Sequence, residues 1–286
     1  MQRTQTVAAC LALAVWAGFL SSGAPAQVLT PRASPAASVG MKIGTTDVEV
    51  RYHRPAVKGR KIWGGLVPYG EVWRLGANDA TTVRFSDPVK MEGKDVPAGT
   101  YAFFAIPGPD AWTLILNRRA EQWGAYFYKE SEDLLRFQVK PQTGPHAEWM
   151  SFSLTPATPE SAVLEMAWET LRLPVRIDVD VPRIVWGNLD KAIAEKPDAD
   201  NYLYAVNYAL ERGERLDEAM TWVDKALALE EGFWGYEAKA KLLQRAGKAD
   251  DALPLLDKAI ALARGKAPQG YIDGLEAMKA AWKQEA

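Results

Sequence analysis

Between about residues 40 and 182 several stretches carry apolar residues at every second position, and beyond 182 the spacing becomes helical. A period of two buries one face of a strand and a period of 3.6 one face of a helix, so the two halves cannot share one element type. In the first half Val48, Val50 and Tyr52 alternate with Glu49 and Arg51, and Leu164, Met166 and Trp168 with Glu165 and Glu169. Leu171, Leu173, Val175, Ile177 and Val179 continue in steps of two. Residues 90–106 read as a turn feeding a buried strand; further strands are expected at 112–116, 134–139 and 149–154, each bounded by Gly, Pro or Asn. About eight short strands separated by turns predict an antiparallel sandwich or barrel over residues 38–182. An extended leader, residues 27–37, precedes it, its extended character running on to about residue 40.

Beyond Pro182 the sequence repeats itself. Asp217-Glu-Ala-Met-Thr-Trp-Val-Asp-Lys-Ala-Leu-Ala-Leu229 returns 33 residues later as Asp250-Asp-Ala-Leu-Pro-Leu-Leu-Asp-Lys-Ala-Ile-Ala-Leu262. Each copy follows a helical stretch closing on Arg and Gly, at Arg212-Gly213 and Arg245-Ala-Gly247. This resembles the tetratricopeptide repeat, with Ala219, Ala226, Ala252 and Ala259 as the small residues that let paired helices approach. The likeness covers about 199–264, and the first copy carries one extra residue before Asp217. Two copies are too few for a free array, so flanking helices near 183–196 and 268–284, or the sheet domain, are expected to cover the exposed faces. The expected architecture is an all-β sandwich or barrel followed by an all-α tetratricopeptide-like helical-hairpin domain at 183–286.

The N-terminus has the order of a secretory signal: Arg3, an apolar run of about 14 residues at 7–20, then small residues ending Ala24-Pro-Ala26. The run is short for a spanning helix. Cleavage is expected after Ala26, with export to the periplasm or beyond and no membrane span. Cys10, the one cysteine, lies inside the signal, so the mature chain lacks a thiol nucleophile or thiolate ligand.

Lys and Arg number 34 against 36 Asp and Glu, a net charge of −2 that argues against a general nucleic-acid binder. Two histidines without metal-ligand spacing call for no metal, and no cofactor motif appears. There is no Gly-x-Ser-x-Gly elbow and no phosphate loop.

The stretch with most chemistry is 51–81. Residues 51–61 hold five cations, Arg51, Arg54, Lys58, Arg60 and Lys61, and no acid, among Pro and Gly that mark a loop. Guanidinium groups fit carboxylate, phosphate or sulfate, and Trp63, Tyr69 and Trp73 offer flat surfaces. Tyr52-x-Arg54-Pro55, Lys58-Gly59-Arg60, Leu66-Val67-Pro68-Tyr69-Gly70 and Trp73-Arg74-x-Gly76-Ala77-Asn78-x-Ala80-Thr81 resemble the bacterial domain of unknown function number 2911. So do Ala98-Gly99-Thr100-Tyr101, Trp112, Asn117 and Trp123-Gly124-x-Tyr126, the likeness running from about 38 to 180. The resemblance implies an exported protein, often with tetratricopeptide-like helices behind the sheet domain, of no established activity. The chain departs from the family at His53, Leu75 and Asp79, where Ser, Thr and Glu are usual.

Candidate ligand-binding residues are Arg54, Lys58, Arg60, Trp73, Arg74, Asn78, Asp79, Asn117, Trp123 and Tyr126. Each has a structural alternative: the tryptophans as core anchors, Arg74 and Asn78 as partners of buried loop carbonyls, the cationic run as a solvated face, His53 as a surface residue. The first expectation is a non-catalytic module. Its β-domain would bind a small polar or anionic ligand or a peptide, and its repeats would contact a protein. A second is a hydrolase or lyase of envelope glycans or peptides, with Asp79 or Glu71 as acid/base. In the third the motif only pins loops to the sandwich.

Overall fold

A computed structural model describes residues 30–285; the expected signal sequence, with Cys10 and its expected cut after Ala26, lies outside the described residues. The strands are β1 (Ala36–Ile43), β2 (Thr46–His53), β3 (Thr82–Phe85), β4 (Val89–Met91), β5 (Lys94–Val96), β6 (Gly99–Ile106), β7 (Trp112–Asn117), β8 (Asp133–Val139), β9 (Gln142–Thr158) and β10 (Ser161–Asp178). They form two antiparallel sheets, ordered β1-β2-β3-β6-β7-β8 and β5-β4-β10-β9. The expected β-domain followed by a helical domain is therefore what the chain forms.

The alternation does its work in β2: Val48, Val50 and Tyr52 are buried between the sheets, while Glu49, Arg51 and His53 lie on the opposite face. In β10 the alternation changes parity, with Trp168 buried on even numbering and Leu173, Val175 and Ile177 on odd. A bulge around Glu169, whose φ is +53°, supplies the extra residue that resets the facing. The leader is shorter than its composition suggests, because residues 36–43 pair with β2 as an edge strand. Val39 and Met41 are only half-buried there, and the small residues around them blur the apolar contrast.

The connection from β2 to β3, residues 54–81, closes the sandwich from the side. Trp73 exchanges both backbone hydrogen bonds with Ala105 of β6, while Val57 N–H donates to Glu148 and Met150 N–H to Pro55 on the β9 side. Ile62, Val67, Trp73 and Leu75 enter the core. There Trp63 and Trp73 meet Trp112 of β7 and Trp168 of β10, with ring centroids 5.0–6.1 Å apart.

Six helices follow: α1 (Val181–Glu195), α2 (Ala199–Arg212), α3 (Leu216–Leu229), α4 (Phe233–Arg245), α5 (Ala249–Ala263) and α6 (Gln269–Glu285). Asp180 caps α1 by accepting from Arg183 N–H, with Pro182 in the first turn. The repeat copies are the pairs α2/α3 and α4/α5, flanked by α1 and α6, an arrangement consistent with helical repeats. Ala219, Ala226, Ala252 and Ala259 are all buried where these helices meet. The extra residue of the first copy falls in the turn before α3, where Arg215 takes φ +51°. Its guanidinium lies between Trp186 and Trp222, 4.7 and 4.8 Å from the ring centroids, and pairs with Asp190 and Glu218. Between the domains, the β1–β2 turn passes directly beneath α1. A Cβ on Gly44 would stand 2.4 Å from a Val181 methyl, and its φ of +56° itself favours glycine. Among the described residues no helix is long and apolar enough to cross a membrane.

Candidate functional site

The face of the six-stranded sheet turned away from the core carries a cleft of about 760 Å³. Glu49, Arg51 and His53 of β2 and Thr82 of β3 form its floor; Asp79, Ala80, Glu121 and Gln122 stand over one side. The wall exists because two distant segments pair. Ala80 N–H donates to Gln122, Gly124 N–H donates to Asn78, and Asp79 and Trp123 form an antiparallel bridge. Asn78 sits at φ +56°, a conformation asparagine tolerates better than most residues. Asp79, Trp123 and Tyr126 thereby share one rim.

The segment 118–129 is anchored by Asn117, which is fully buried. Its Nδ2 donates to Lys129 O (3.1 Å) and Asp133 Oδ1 (2.9 Å), and its Oδ1 accepts from Arg119 N–H (3.1 Å) and Gln122 Nε2 (3.4 Å). At the far end Tyr128 donates to Asp133, which also pairs with Arg136. Burial, reinforced by that hydrogen bond to Asp133, pushes the Tyr128 phenol up to about 12.

The ten candidate residues fall into separate places. Arg54 donates from Nε to Met150 O, and Arg60 donates to Val57 O and Ala56 O, so both guanidinium groups bind their own domain's carbonyls. The Lys58 side chain is exposed, its backbone N–H held by Glu148. Trp73 is in the core. Asn117 supports the wall from beneath. Asp79 lines the cleft, while Asn78 and Trp123 pair beside it and Arg74 and Tyr126 lie next to each other near Gly124, just outside the lining. Glu71 is exposed and forms no ion pair among the described residues.

Three residues that composition and motif passed over belong to the site. His53, read above as a surface residue, is largely enclosed: its side chain is 15% exposed, with Nε2 3.8 Å from Asp79. Gln122 lines the wall through its backbone pairing. Arg32, from the leader, reaches Asp79 at 3.2 Å and lies 5.3 Å from the Trp123 ring centroid. Its sequence signal is isolation, since it is the only charged residue between Arg3 and Lys42.

Arg74 is the electrostatic oddity of the rim. Its Nε is buried and has no hydrogen-bond partner among the described residues. Burial pushes the guanidinium below its usual range, with Tyr126 opposing, although an arginine stays charged throughout. Among the described residues no group of three or more His, Cys, Asp or Glu side chains is placed to hold a metal ion.

Burial holds the His53 imidazole below its ordinary value; Asp79 opposes this, while Arg32 and Arg74 add to it. Between the folded and unfolded values the unfolded chain binds more protons, so stability rises with pH there and falls on acidification. The wild-type chain is therefore expected to lose melting temperature faster than His53→Gln between about pH 7.5 and about pH 5. Parallel melting curves for the two proteins across that range would show that His53 is not held neutral.

An edge-stapled sandwich with a walled cleft on its outer sheet, followed by paired helices, is the class of protein these features define. Residues 34–177 match the family described as protein of unknown function (DUF2911), and the chain belongs to it. No curated protein and no solved structure matches the chain.

Proposed function

We propose that the chain is an exported, non-catalytic binding module. The wall beside its cleft accepts a small polar ligand or peptide through an anionic or carbonyl group held by Arg74, which borders the lining residue His53, while its paired helices contact a protein partner. The observation that carries this reading is the buried, unpartnered Arg74 Nε. A half-buried guanidinium without a protein acceptor has given up hydration without a replacement, and an incoming carboxylate, phosphate or carbonyl that bonds its terminal nitrogens offsets part of that cost although Nε itself stays enclosed. The contrast with its neighbours supports the assignment: Arg54 and Arg60 each give their Nε donor to a carbonyl of the same domain. The signal-like N-terminus supports export.

The test is a thermal-shift screen of the mature protein against carboxylates, phosphates, sugars and short peptides. A ligand at 100 times its dissociation constant stabilises by about 2.7 kcal/mol. Arg74→Met keeps the apolar stem and removes the unpaired charge. Its own stability is expected to stay within about 1 kcal/mol of wild type, while the shift produced by anionic ligands disappears. A large loss of stability in this variant with ligand shifts intact would instead support the purely structural reading.

Acid/base catalysis is the second reading, and one observation favours Asp79 over Glu71 for it: Asp79 borders the cleft with His53 3.8 Å away. Turnover of envelope glycans or peptides that vanishes in Asp79→Asn would replace the binding module with an enzyme.

A further inference from the structure

We infer that the corner formed by Asp79 and Trp123 is a subsite for a guanidinium or ammonium group, and that it recognises an extended basic peptide in place of the leader's own residues 32–35. This deepens the ligand-binding reading above, adding a cationic subsite beside the anionic one at Arg74.

The leader shows what the corner holds. Arg32 NH1 is 3.2 Å from Asp79 Oδ2, and its guanidinium carbon is 5.3 Å from the centroid of Trp123. A carboxylate beside an aromatic face is the combination that selects an organic cation, because the ring quadrupole and the fixed charge attract the same group from two directions. The backbone that follows is held as an extended peptide would be. Ser34 O accepts from Asn78 Nδ2 at 3.2 Å, and Pro35 O accepts from Arg54 N–H at 2.8 Å. Side chain and carbonyls are thus read by three chain segments, around 53–54, 78–79 and 123.

The occupant is replaceable. Residues 32–35 precede β1, whose ladder starts with Ala36 opposite His53, and extend that pairing by one backbone hydrogen bond only, from Arg54 N–H to Pro35 O. The Arg32 and Asp79 side chains are 51% and 52% exposed, so both charges stay within reach of a competing cation. Displacing it leaves both sheets intact and exposes a rim with a carboxylate, an indole face, an amide donor and a backbone N–H, next to the unpartnered Arg74. A chain carrying Arg or Lys two residues before a carbonyl fits that pattern.

The probe is the acetylated, amidated pentapeptide Pro-Arg-Ala-Ser-Pro, which has no charged ends, titrated into the mature protein by calorimetry. Tethering gives the leader a high effective concentration. The Arg32→Ala chain is therefore expected to bind the probe at least tenfold more tightly than wild type. Replacing the probe's arginine by norleucine should abolish binding, and adding Asp79→Asn or Trp123→Ala to Arg32→Ala should weaken it at least tenfold. Equal affinity in wild type and Arg32→Ala, no binding in either, or indifference to Asp79→Asn overturns the subsite. Arg74→Met separates this from the anion reading: it should remove carboxylate and phosphate binding while leaving the uncharged-ended probe bound. If Arg74→Met also loses the probe, the separate cation subsite fails; if it keeps carboxylate and phosphate binding, the anion reading fails.

Discussion

Replacing Trp73 with alanine is expected to destabilise the β-domain by about 3–5 kcal/mol, the usual cost of emptying a buried tryptophan site. Trp73 is 8% exposed and stacks on Trp168 with centroids 5.8 Å apart and planes 19° from parallel. Its edges meet Trp63 and Trp112, and its indole N–H donates to Gly76 O at 3.1 Å. The rings come from both sheets and from the connection that joins them, so the cavity would open where the sandwich is closed. Neither sheet can collapse into it without breaking the Trp73–Ala105 backbone pair. At about 2–4 °C per kcal/mol for a domain of this size, the melting temperature should drop by about 10 °C or more. Trp73→Phe should recover a large part of the loss, since a ring still fills the space although Gly76 O loses its donor. Chemical denaturation of the three proteins is the measurement; a loss below about 1 kcal/mol in the alanine variant would mean that the site relaxes and the cluster is not the keystone of the core.

Asn117→Leu is expected to cost about 3 kcal/mol and to weaken ligand binding at least tenfold although Asn117 lies outside the cleft lining. Leucine has similar bulk but satisfies none of the four groups that Asn117 serves. Lys129 O, Asp133 Oδ1 and Arg119 N–H would be left short of partners near a site with no exposure, each at about 1–3 kcal/mol before relaxation. The segment 118–129 would then loosen, and with it Glu121, Gln122 and Trp123. Hydrogen exchange should rise across 118–129 while β2 and β10 stay protected. Uniformly faster exchange throughout the domain would mean that Asn117 supports the whole sandwich rather than this wall.

Much of the architecture can be read from local spacing. The change of period near Pro182 separates strands from helices, and the 33-residue recurrence marks the helix pairs, because burying one face of an element imposes a short-range rule on its own residues. The parity change in β10 was also present in the letters, as Trp168 on even numbering and Leu173 on odd. β1 was masked by its composition: Val39, Met41 and Ile43 do alternate, but the Ala, Ser and Gly around them and the partial burial of an edge strand weaken the contrast. Trp73 and Arg74 are adjacent in one motif, yet one is a core anchor and the other a rim cation. A strand-like bridge to Ala105 sends neighbouring side chains to opposite sides, and no spacing within the motif declares which side is the core.

Sequence by itself determined the two-part division, most strands, the helix pairs and the family, since each depends on residues close together in the chain. Tertiary structure alone decided which arginines are occupied. Arg54 finds its acceptor 96 residues away at Met150, Arg32 meets Asp79 across 47, and Arg74 meets no acceptor among the described residues. Hydrogen-bond satisfaction is a property of whichever carbonyl or carboxylate the fold brings within about 3 Å, so identical side chains become staple, stand-in or open donor only once the segments have met.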